Sequence, residues 1–172
     1  MTDVLLELGK SPLARKLVQS AKLPIPMPQR LARLRGARAE RFLEGRSVLV
    51  SGAGQLSDVI ARTLSRAGAT SHLDSAALAQ AFAPAAEAYA RPTKLLAADE
   101  GTAGEPARAF VVDASALSGP ADLKQLYTFL HNVLPRLARG GRVVIMGRPV
   151  EEARSALVAS ARAALDGFTR SL

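Results

Sequence analysis

The chain has 172 residues and a mass of 18.0 kDa, which allows one globular domain at roughly 100–200 residues per domain. Apolar residues make up 48% of it, so it is not a disordered chain. It has no cysteine, which excludes disulfides, thiolate metal sites and a cysteine nucleophile, and its two histidines are too far apart to predict a metal site. Because no apolar run reaches 18 residues and no signal pattern opens the chain, we expect a cytoplasmic protein without membrane contact.

The net charge of +8 is concentrated near the N-terminus, where residues 1–48 hold ten Lys or Arg against four Asp or Glu. Five arginines there follow roughly helical spacing: Arg30, Arg33, Arg35, Arg38 and Arg41. A basic stretch of this kind can bind nucleic acid or an acidic partner. However, Phe42 is its single aromatic residue, so it offers no platform for base stacking. We therefore favour a solvated helix face and consider nucleic-acid binding the weaker interpretation.

We assign residues 1–45 to a helical arm that precedes the main domain. Short helices are predicted over 3–9 and 12–21, the second with Ser11 as N-cap and proline at its first helical position. Three alternating prolines in Leu23–Pro28 then predict an extended, stiff strap. The strap is predicted to be a linker between the arm and the main domain, and not a site.

Residues 46–172 alternate apolar runs with helical patterns. Strands are predicted at 47–50, 69–73, 93–97, 108–113 and 142–146, and helices at 56–67, 75–90, 120–138 and 150–172. Uniformly apolar strands that alternate with helices are typical of a parallel sheet covered on both faces. We therefore predict an α/β, doubly wound Rossmann-like or flavodoxin-like sheet of about five strands in the order 3-2-1-4-5.

Strand three is the weak point of this prediction. Too few residues separate 93–97 from the next strand for the dozen or more that a parallel crossover normally needs. Strand three could therefore be absent, displaced or antiparallel. At the other side of the sheet, strand 142–146 is predicted to be an edge strand.

The apolar positions also predict which helix faces are buried. On helix 56–67 they are Val59, Ile60, Thr63 and Leu64; on helix 120–138 they are Leu123, Leu126, Phe129, Leu130, Val133, Leu134 and Leu137; on helix 150–172 they are Leu157, Ala161, Ala164, Leu165, Phe168 and Leu172. The stripes on the last two helices are wide enough to serve a second neighbour. We expect homo-oligomer contacts or a further domain to cover them.

The turn after the first strand carries a reduced dinucleotide-binding pattern, Gly52-x-Gly54-x-x-Ser57, in which serine replaces the third glycine. Glycines in such a loop let backbone N–H groups approach a pyrophosphate at a helix N-terminus. Gln55 would put a side chain where a phosphate should lie. Asp74 follows Gly54 by 20 residues, a fair position for holding a ribose hydroxyl, but we favour it as the cap of the next helix. Cofactor binding through Gly52, Gly54 and Asp74 is therefore expected to be vestigial.

Four segments of the second region resemble the short-chain dehydrogenase/reductase family. They are Val50–Gly54, similar to the cofactor loop; Val111–Ser115, at the position of the Asn-Asn-Ala-Gly strand end; Val143–Gly147, at the strand that leads to the catalytic serine; and Gly167–Leu172, similar to the end of the active-site helix. The resemblance implies a Rossmann-like fold and nicotinamide chemistry for the family.

A narrower resemblance is to the high-molecular-weight 3-oxoacyl-(acyl-carrier-protein) reductases. It lies in Pro12–Leu17, Leu23-Pro24, Leu43–Gly45 and Ala164–Leu172. In that group a degenerate N-terminal domain precedes a complete reductase domain. The resemblance implies that this chain is the non-catalytic first domain, which supports assembly or substrate access. It also implies that NAD or NADP binds to the following domain and not to this segment, with acyl-carrier protein or CoA as partners.

The resemblance also implies catalytic positions, and this sequence has changed them. The family protonates its ketone with a tyrosine whose pKa is lowered by a lysine one helical turn on. Those positions hold Val158 and Arg162, and no Tyr-x-x-x-Lys exists anywhere in the chain. The strand end Ile145–Pro149 lacks the serine hydroxyl, and the family's helix asparagine corresponds to Asp122. We expect no catalytic residue here. Two alternatives stay open: an independent dinucleotide-binding protein, and an acidic-partner or nucleic-acid module that acts through the arm.

Overall fold

The computed structural model describes residues 11–21, 36–37, 39–97 and 104–172. The chain divides into two compact units, Met1–Leu34 and Arg35–Leu172. In the first unit helix α1 spans Pro12–Ser20, which confirms the second predicted helix of the arm. The remaining arm predictions lie outside the described residues: the helix at 3–9, the strap at 23–28, and Arg30, Arg33, Arg35 and Arg38.

The second unit contains a sheet of five described strands with flanking helices. The strands are β1 Ser47–Ser51, β2 Thr70–Leu73, β3 Lys94–Leu95, β4 Ala107–Asp113 and β5 Leu137–Met146; the helices are α2 Ser57–Arg66, α3 Ala76–Ala88, α4 Pro120–Val133 and α5 Ala156–Ser171, with 3-10 turns at Leu134–Arg136 and Val150–Glu152. All neighbouring strands are parallel and their order is β3-β2-β1-β4-β5. The predicted α/β doubly wound fold and strand order are confirmed.

Strand β3 is present and parallel to β2, with Lys94 opposite His72 and Leu95 opposite Leu73. The sequence left its existence and direction open because the connection to the next strand looked too short. The strand has only two residues, so residues 96–106 remain for the passage to β4. The short strand thus leaves eleven residues for the connection, close to the dozen that a parallel crossover normally needs.

Two apolar clusters form the core, one on each face of the sheet. Along β1 the side chains alternate between them: Val48 and Val50 belong to the cluster with α2 and α3, and Leu49 to the cluster with α4 and α5. All three side chains are fully buried. The strands are therefore apolar on both faces because helices cover both, as the sequence pattern predicted.

Helix α4 ends at Val133, five residues earlier than predicted. Pro135 follows at once in a 3-10 turn, and a proline that lacks an N–H and clashes with the preceding turn does not continue a helix. Leu137, which we predicted on the helix, instead begins β5. Strand β5 is at the sheet edge, as predicted, but it is longer than predicted at its start, where its register with β4 shifts.

Helix α5 begins at Ala156 and not at residue 150, since the preceding residues form a 3-10 turn and Ser155 caps the helix by accepting the N–H of Val158. Its predicted core face is wrong at three positions, where the side chains are exposed: Leu157, Ala164 and Leu172. Ala161 is buried, and Leu165 and Phe168 pack against the core as predicted. The helix therefore buries a narrower stripe than its sequence offers.

The buried face of α2 is also rotated from the predicted one. Ile60 and Leu64 are buried as predicted, but Val59 and Thr63 are exposed, and Ala61 is fully buried instead. The hydroxyl of Thr63 donates to the main-chain oxygen of Val59, so it needs no partner in the core. Across the described helices of both units, none combines the length and the apolar character needed to cross a membrane.

Candidate functional site

The carboxyl ends of β1, β2 and β4 border a cavity of about 310 Å³. Doubly wound sheets bind ligands at this edge, where the strand order changes direction. Carboxylates line the cavity from three elements, those of Asp74, Asp113 and Asp122, and no Lys, Arg or His is among its lining residues. In a chain with a net charge of +8, this cavity is therefore a local concentration of negative charge.

Both glycines of the turn after β1 are required by the close approach of the turn to β4. Gly52 has a φ of +82°, and a Cβ there would collide with the main-chain oxygen of Asp113. A Cβ on Gly54 would collide with the hydroxyl of Ser115 and with the carboxylate of Asp113. Because these glycines have no Cβ, the end of β4 can lie close to the backbone of the turn.

The carboxylate of Asp113 is the polar centre of this contact. Its Oδ2 accepts the N–H of Gly54 at 3.1 Å and the N–H of Leu56 at 3.0 Å. It also accepts, at 3.2 Å, the hydroxyl proton of Ser57, which is shared with the main-chain oxygen of Gly54 at 3.0 Å. Its Oδ1 accepts the N–H of Ser115 at 3.0 Å. The residue is only 3% exposed, so these four donors offset the desolvation of a buried charge.

Two further side chains take the remaining polar groups of the turn. The hydroxyl of Ser115 accepts the N–H of Gln55 at 2.7 Å. The Oδ2 of Asp74 accepts the hydroxyl of Ser51 and, at 3.4 Å, the N–H of Gly52. The backbone N–H groups of residues 52, 54, 55 and 56 therefore all donate to side chains of this chain.

Asp74 does not cap helix α3, which corrects our favoured interpretation of it. The cap is the next residue, Ser75, whose hydroxyl accepts the N–H of Leu78 at 3.4 Å. Asp74 instead turns back to β1 and lines the cavity beside Gly52. The structure thus brings Gly52, Gly54 and Asp74 to one edge, as a cofactor site requires.

The turn nevertheless does not fit the pyrophosphate of a dinucleotide. A pyrophosphate binds by accepting N–H groups of the glycine turn, and here the N–H groups of Gly54, Gln55 and Leu56 already donate to Asp113 or Ser115, while that of Gly52 makes a longer contact of 3.4 Å with Asp74. Asp58 adds a further negative charge in the first turn of α2. Gln55, predicted to obstruct a phosphate, accepts a hydrogen bond on its amide oxygen from Arg148 at 3.1 Å.

Asp122 has a structural role at the start of α4. Its Oδ2 accepts the N–H of Ser118 at 2.7 Å, the hydroxyl of Ser118 at 2.8 Å and the N–H of Gly119 at 3.2 Å. The hydrogen bonds from the Ser118 N–H and hydroxyl lower the pKa of Asp122 below its ordinary value. This carboxylate stabilises the helix start as an anion.

The segment after β5 offers no proton donor of the family's kind. Arg148 donates to Glu152 through Nη2 at 2.8 Å and Nε at 3.1 Å, and Arg162 donates to the main-chain oxygen of Pro149 at 2.8 Å. Val158 is aliphatic and half-buried. The chain's two tyrosines, Tyr89 and Tyr127, do not line the cavity, and the second lies 5.4 Å from the ring of His131. In the part of the chain that the structure describes, no group of three His, Asp or Glu could hold a metal ion.

Asp113, Ser115 and Arg148 were not predicted as site residues, although the first two lie in a segment that resembles the family, and the structure places all three at this edge. A signal for the first two was present. They follow a buried strand that the predicted order places beside β1, and carboxyl ends of neighbouring parallel strands meet at one edge. No pattern in the sequence pointed to the contact between Arg148 and Gln55.

No protein-family model matches this sequence, and no curated protein matches it. Three solved structures are similar in fold. A short-chain dehydrogenase/reductase from Serratia marcescens BCRC 10948 is 21% identical, with a TM-score of 0.54 over 75% of this chain and 67% of that one. A protein from Pseudomonas syringae assigned to the short chain dehydrogenases is 17% identical, with a TM-score of 0.57 over 81% and 73%. BdcA from E. coli, solved in complex with NADPH, is 19% identical, with a TM-score of 0.50 over 73% of this chain and 63% of that one. The fold is therefore one that short-chain dehydrogenases/reductases also have.

Proposed function

We propose that this chain is a non-catalytic Rossmann-like domain of a 3-oxoacyl thioester reductase. In this proposal it supports assembly or substrate access, while NAD(P)H-dependent reduction of the ketone takes place in a following domain. The thioester would be carried by acyl-carrier protein or CoA. The proposal joins the sequence resemblance to a fold that short-chain dehydrogenases/reductases share.

The observation that carries the proposal is the chemistry of the segment from the end of β5 to the start of α5. Reduction of a ketone needs a proton donor beside the carbonyl oxygen. The two positions that correspond to the family's Tyr and Lys hold Val158, which has no proton to give, and Arg162, whose guanidinium donates to a main-chain oxygen. A domain that keeps the fold but lacks the proton donor is suited to packing against another domain or copy and not to ketone reduction.

A titration and an assay test this proposal together. The chain is titrated with NADH and NADPH up to millimolar concentration by calorimetry, and then assayed with acetoacetyl-CoA and either nucleotide. We expect no saturable heat and no oxidation of the nucleotide. Reduction of the thioester by this chain alone would contradict the proposal.

A second candidate is an independent dinucleotide-binding protein, favoured by the position of Asp74 beside Gly52 in an open cavity. A carboxylate at this place can accept the hydroxyls of a ribose. The same titration separates the candidates, because saturable micromolar binding without turnover is expected only from the second. We rank the dinucleotide-binding candidate lower because the N–H groups of Gly54, Gln55 and Leu56 already donate to side chains of this chain.

Exposed apolar side chains on α4 and α5 support the assembly role. Leu157 is 59% exposed and Tyr127 is 55% exposed, on two neighbouring helices of the same sheet face. Contact with a second copy of this chain or with the reductase domain would cover them. We expect the chain to form an oligomer through 120–138 and 150–172.

A matched pair of substitutions tests this surface. Leu157→Glu puts a charge on α5, and Leu95→Glu puts one on β3 at the opposite edge of the sheet, where the native leucine is 57% exposed. We expect the first variant to lower the mass in solution and the second to leave it unchanged, measured by light scattering. A wild-type chain that is monomeric at every concentration would show that this surface does not join copies.

A further inference from the structure

We infer that the glycine turn after β1 is an anion site whose anion the chain supplies itself, in the carboxylate of Asp113. The inference concerns residues 51–57 and the end of β4, and it does not depend on the reductase lineage proposed above. It assigns the turn a resident negative charge in place of a bound phosphate. It also makes Asp113 a positioning residue for the turn.

The donors around the Asp113 carboxylate are arranged like those around a bound anion. Two backbone N–H groups of the turn, from Gly54 and Leu56, and the hydroxyl of Ser57 converge on one oxygen atom, Oδ2, at 3.0–3.2 Å. The donors lie immediately before or within the first turn of α2. Negative charge is stabilised at this end of a helix by the helix dipole, and convergent N–H groups are what phosphates bind in such turns.

The carboxylate reaches this place from a distant part of the chain. The donors at 54–57 and Asp113 are 56 to 59 positions apart in sequence, so the contact exists only when β1 and β4 are paired. Both carboxylate oxygens are used, since Oδ1 accepts the N–H of Ser115 at 3.0 Å. A side chain that is 3% exposed and bonded on both oxygens is a fixed part of the site.

The surroundings disfavour a second anion at the same donors, although Arg148, which is also paired with Glu152, donates to Gln55 of the turn. The cavity beside the turn is lined by Asp74 and Asp122 and by no basic side chain. A phosphate would have to displace Asp113 and would then lie beside the released carboxylate. The charge pattern therefore favours the resident anion over any phosphate from solution.

Removal of the carboxylate should turn the occupied site into one that responds to added anions. In Asp113→Ala, we expect Tm to fall by several degrees in chloride buffer, and sodium formate, acetate or inorganic phosphate at matched ionic strength to recover part of that loss. Wild-type Tm should change between these salts only by their general effect on stability, since phosphate is excluded from protein surfaces and stabilises folded states, and this change is subtracted from that of the variant. The measurement is thermal unfolding followed by circular dichroism at pH 7 in each salt.

Asp122→Ala is the control, because it removes a carboxylate from the same cavity that does not contact the turn. Its loss of Tm should be smaller and the same in every anion. Asp113→Asn covers the case in which the alanine variant does not fold, since it keeps one acceptor oxygen and loses the charge. We expect it to fold with a lowered Tm and a weaker response to formate than Asp113→Ala shows.

Three results would overturn the inference. The first is a Tm for Asp113→Asn equal to that of wild type at pH 7, which would show that the charge is not needed. The second is the absence of any difference between formate, phosphate and chloride in whichever of the two Asp113 variants folds. The third is a wild-type Tm that rises with inorganic phosphate as much as the variant's does, which would show that the turn is free to bind it.

Discussion

Two aspartates at the same cavity both accept several hydrogen bonds, but the donors of one are distant in sequence and the donors of the other are close. Asp113 accepts four hydrogen bonds, three of them from residues that lie more than 50 positions away, and it is 3% exposed. Asp122 accepts three, all from Ser118 and Gly119 within four positions, and it is more accessible to water. The first joins two strands of the sheet, and the second fixes the start of one helix.

The two carboxylates should therefore contribute differently to the free energy of unfolding. Loss of a buried acceptor that several donors share leaves those donors unsatisfied, which costs more than the bond itself. Loss of an accessible helix cap costs about 1 kcal/mol because water replaces the acceptor. The turn around Asp113 should therefore tolerate little change, and the start of α4 should tolerate much more.

The largest expected difference is between glycines at the two places. Gly52→Ala introduces a Cβ at a φ of +82° and against the main-chain oxygen of Asp113, so we expect a loss of about 2 kcal/mol or more in the free energy of unfolding. Gly119→Ala introduces a Cβ in an extended backbone, 3.6 Å from the nearest atom of Leu157. Gly119 is the N-cap of α4, where alanine is less favourable than glycine, so we expect a loss of about 1 kcal/mol or less. Urea unfolding of both variants measures the two values.

Similar losses from the two glycine substitutions would contradict the comparison. A change in the denaturant m-value for Gly52→Ala would show that the substitution alters the unfolded or native ensemble. In that case the midpoints alone do not give the free energies of unfolding. The single substitution Gly54→Ala then tests the same comparison. Gly54→Ala also meets the Asp113 carboxylate, so it should again destabilise far more than Gly119→Ala.

A smaller effect, which depends on pH, is expected at the start of α4. Because hydrogen bonds lower the pKa of Asp122 from 3.8, its anion stabilises the folded state at pH values above 3.8, and this stabilisation is lost as the pH falls through the lowered folded-state pKa. Asp122→Asn should therefore be less stable than wild type by about 1 kcal/mol or less at pH 7. The difference between the two proteins should shrink in acid. Parallel unfolding curves from pH 7 to pH 3 measure it, and a difference that is constant over this range would contradict the assignment.

Most of the fold was predictable because its determinants are local. The apolar runs that became β1 and most of β4 are buried between two helical layers, and their composition already showed it. The end of β5 was predicted as a buried strand, but it lies at the sheet edge and is only half-buried, with Val144 42% exposed. Element ends were less predictable. Helix α4 stops at a proline that the apolar stripe alone did not reveal, and α5 begins only after a 3-10 turn.

The site was predictable in its location and not in its contacts. The sequence named Gly52, Gly54 and Asp74 as one candidate site, and the structure places Gly52 and Asp74 at one cavity and Gly54 within hydrogen-bonding distance of Asp113. It could not show that Asp113 would occupy the N–H groups of the turn, since that depends on the pairing of β1 with β4. The same limit applies to Arg148, whose contact with Gln55 spans 93 positions.

The sequence by itself determined the layered α/β architecture and the absence of a Tyr-x-x-x-Lys pair, because periodicity and residue identity are properties of the chain as written. The strand order was predicted, but the presence and direction of β3 were settled only by the structure. Only the tertiary structure decided what the glycines are for. Their N–H groups and missing Cβ atoms are equally suited to a phosphate or to a neighbouring strand. The choice was made by the side chain that parallel pairing brought within hydrogen-bonding distance, and here that side chain is a buried carboxylate of the same chain.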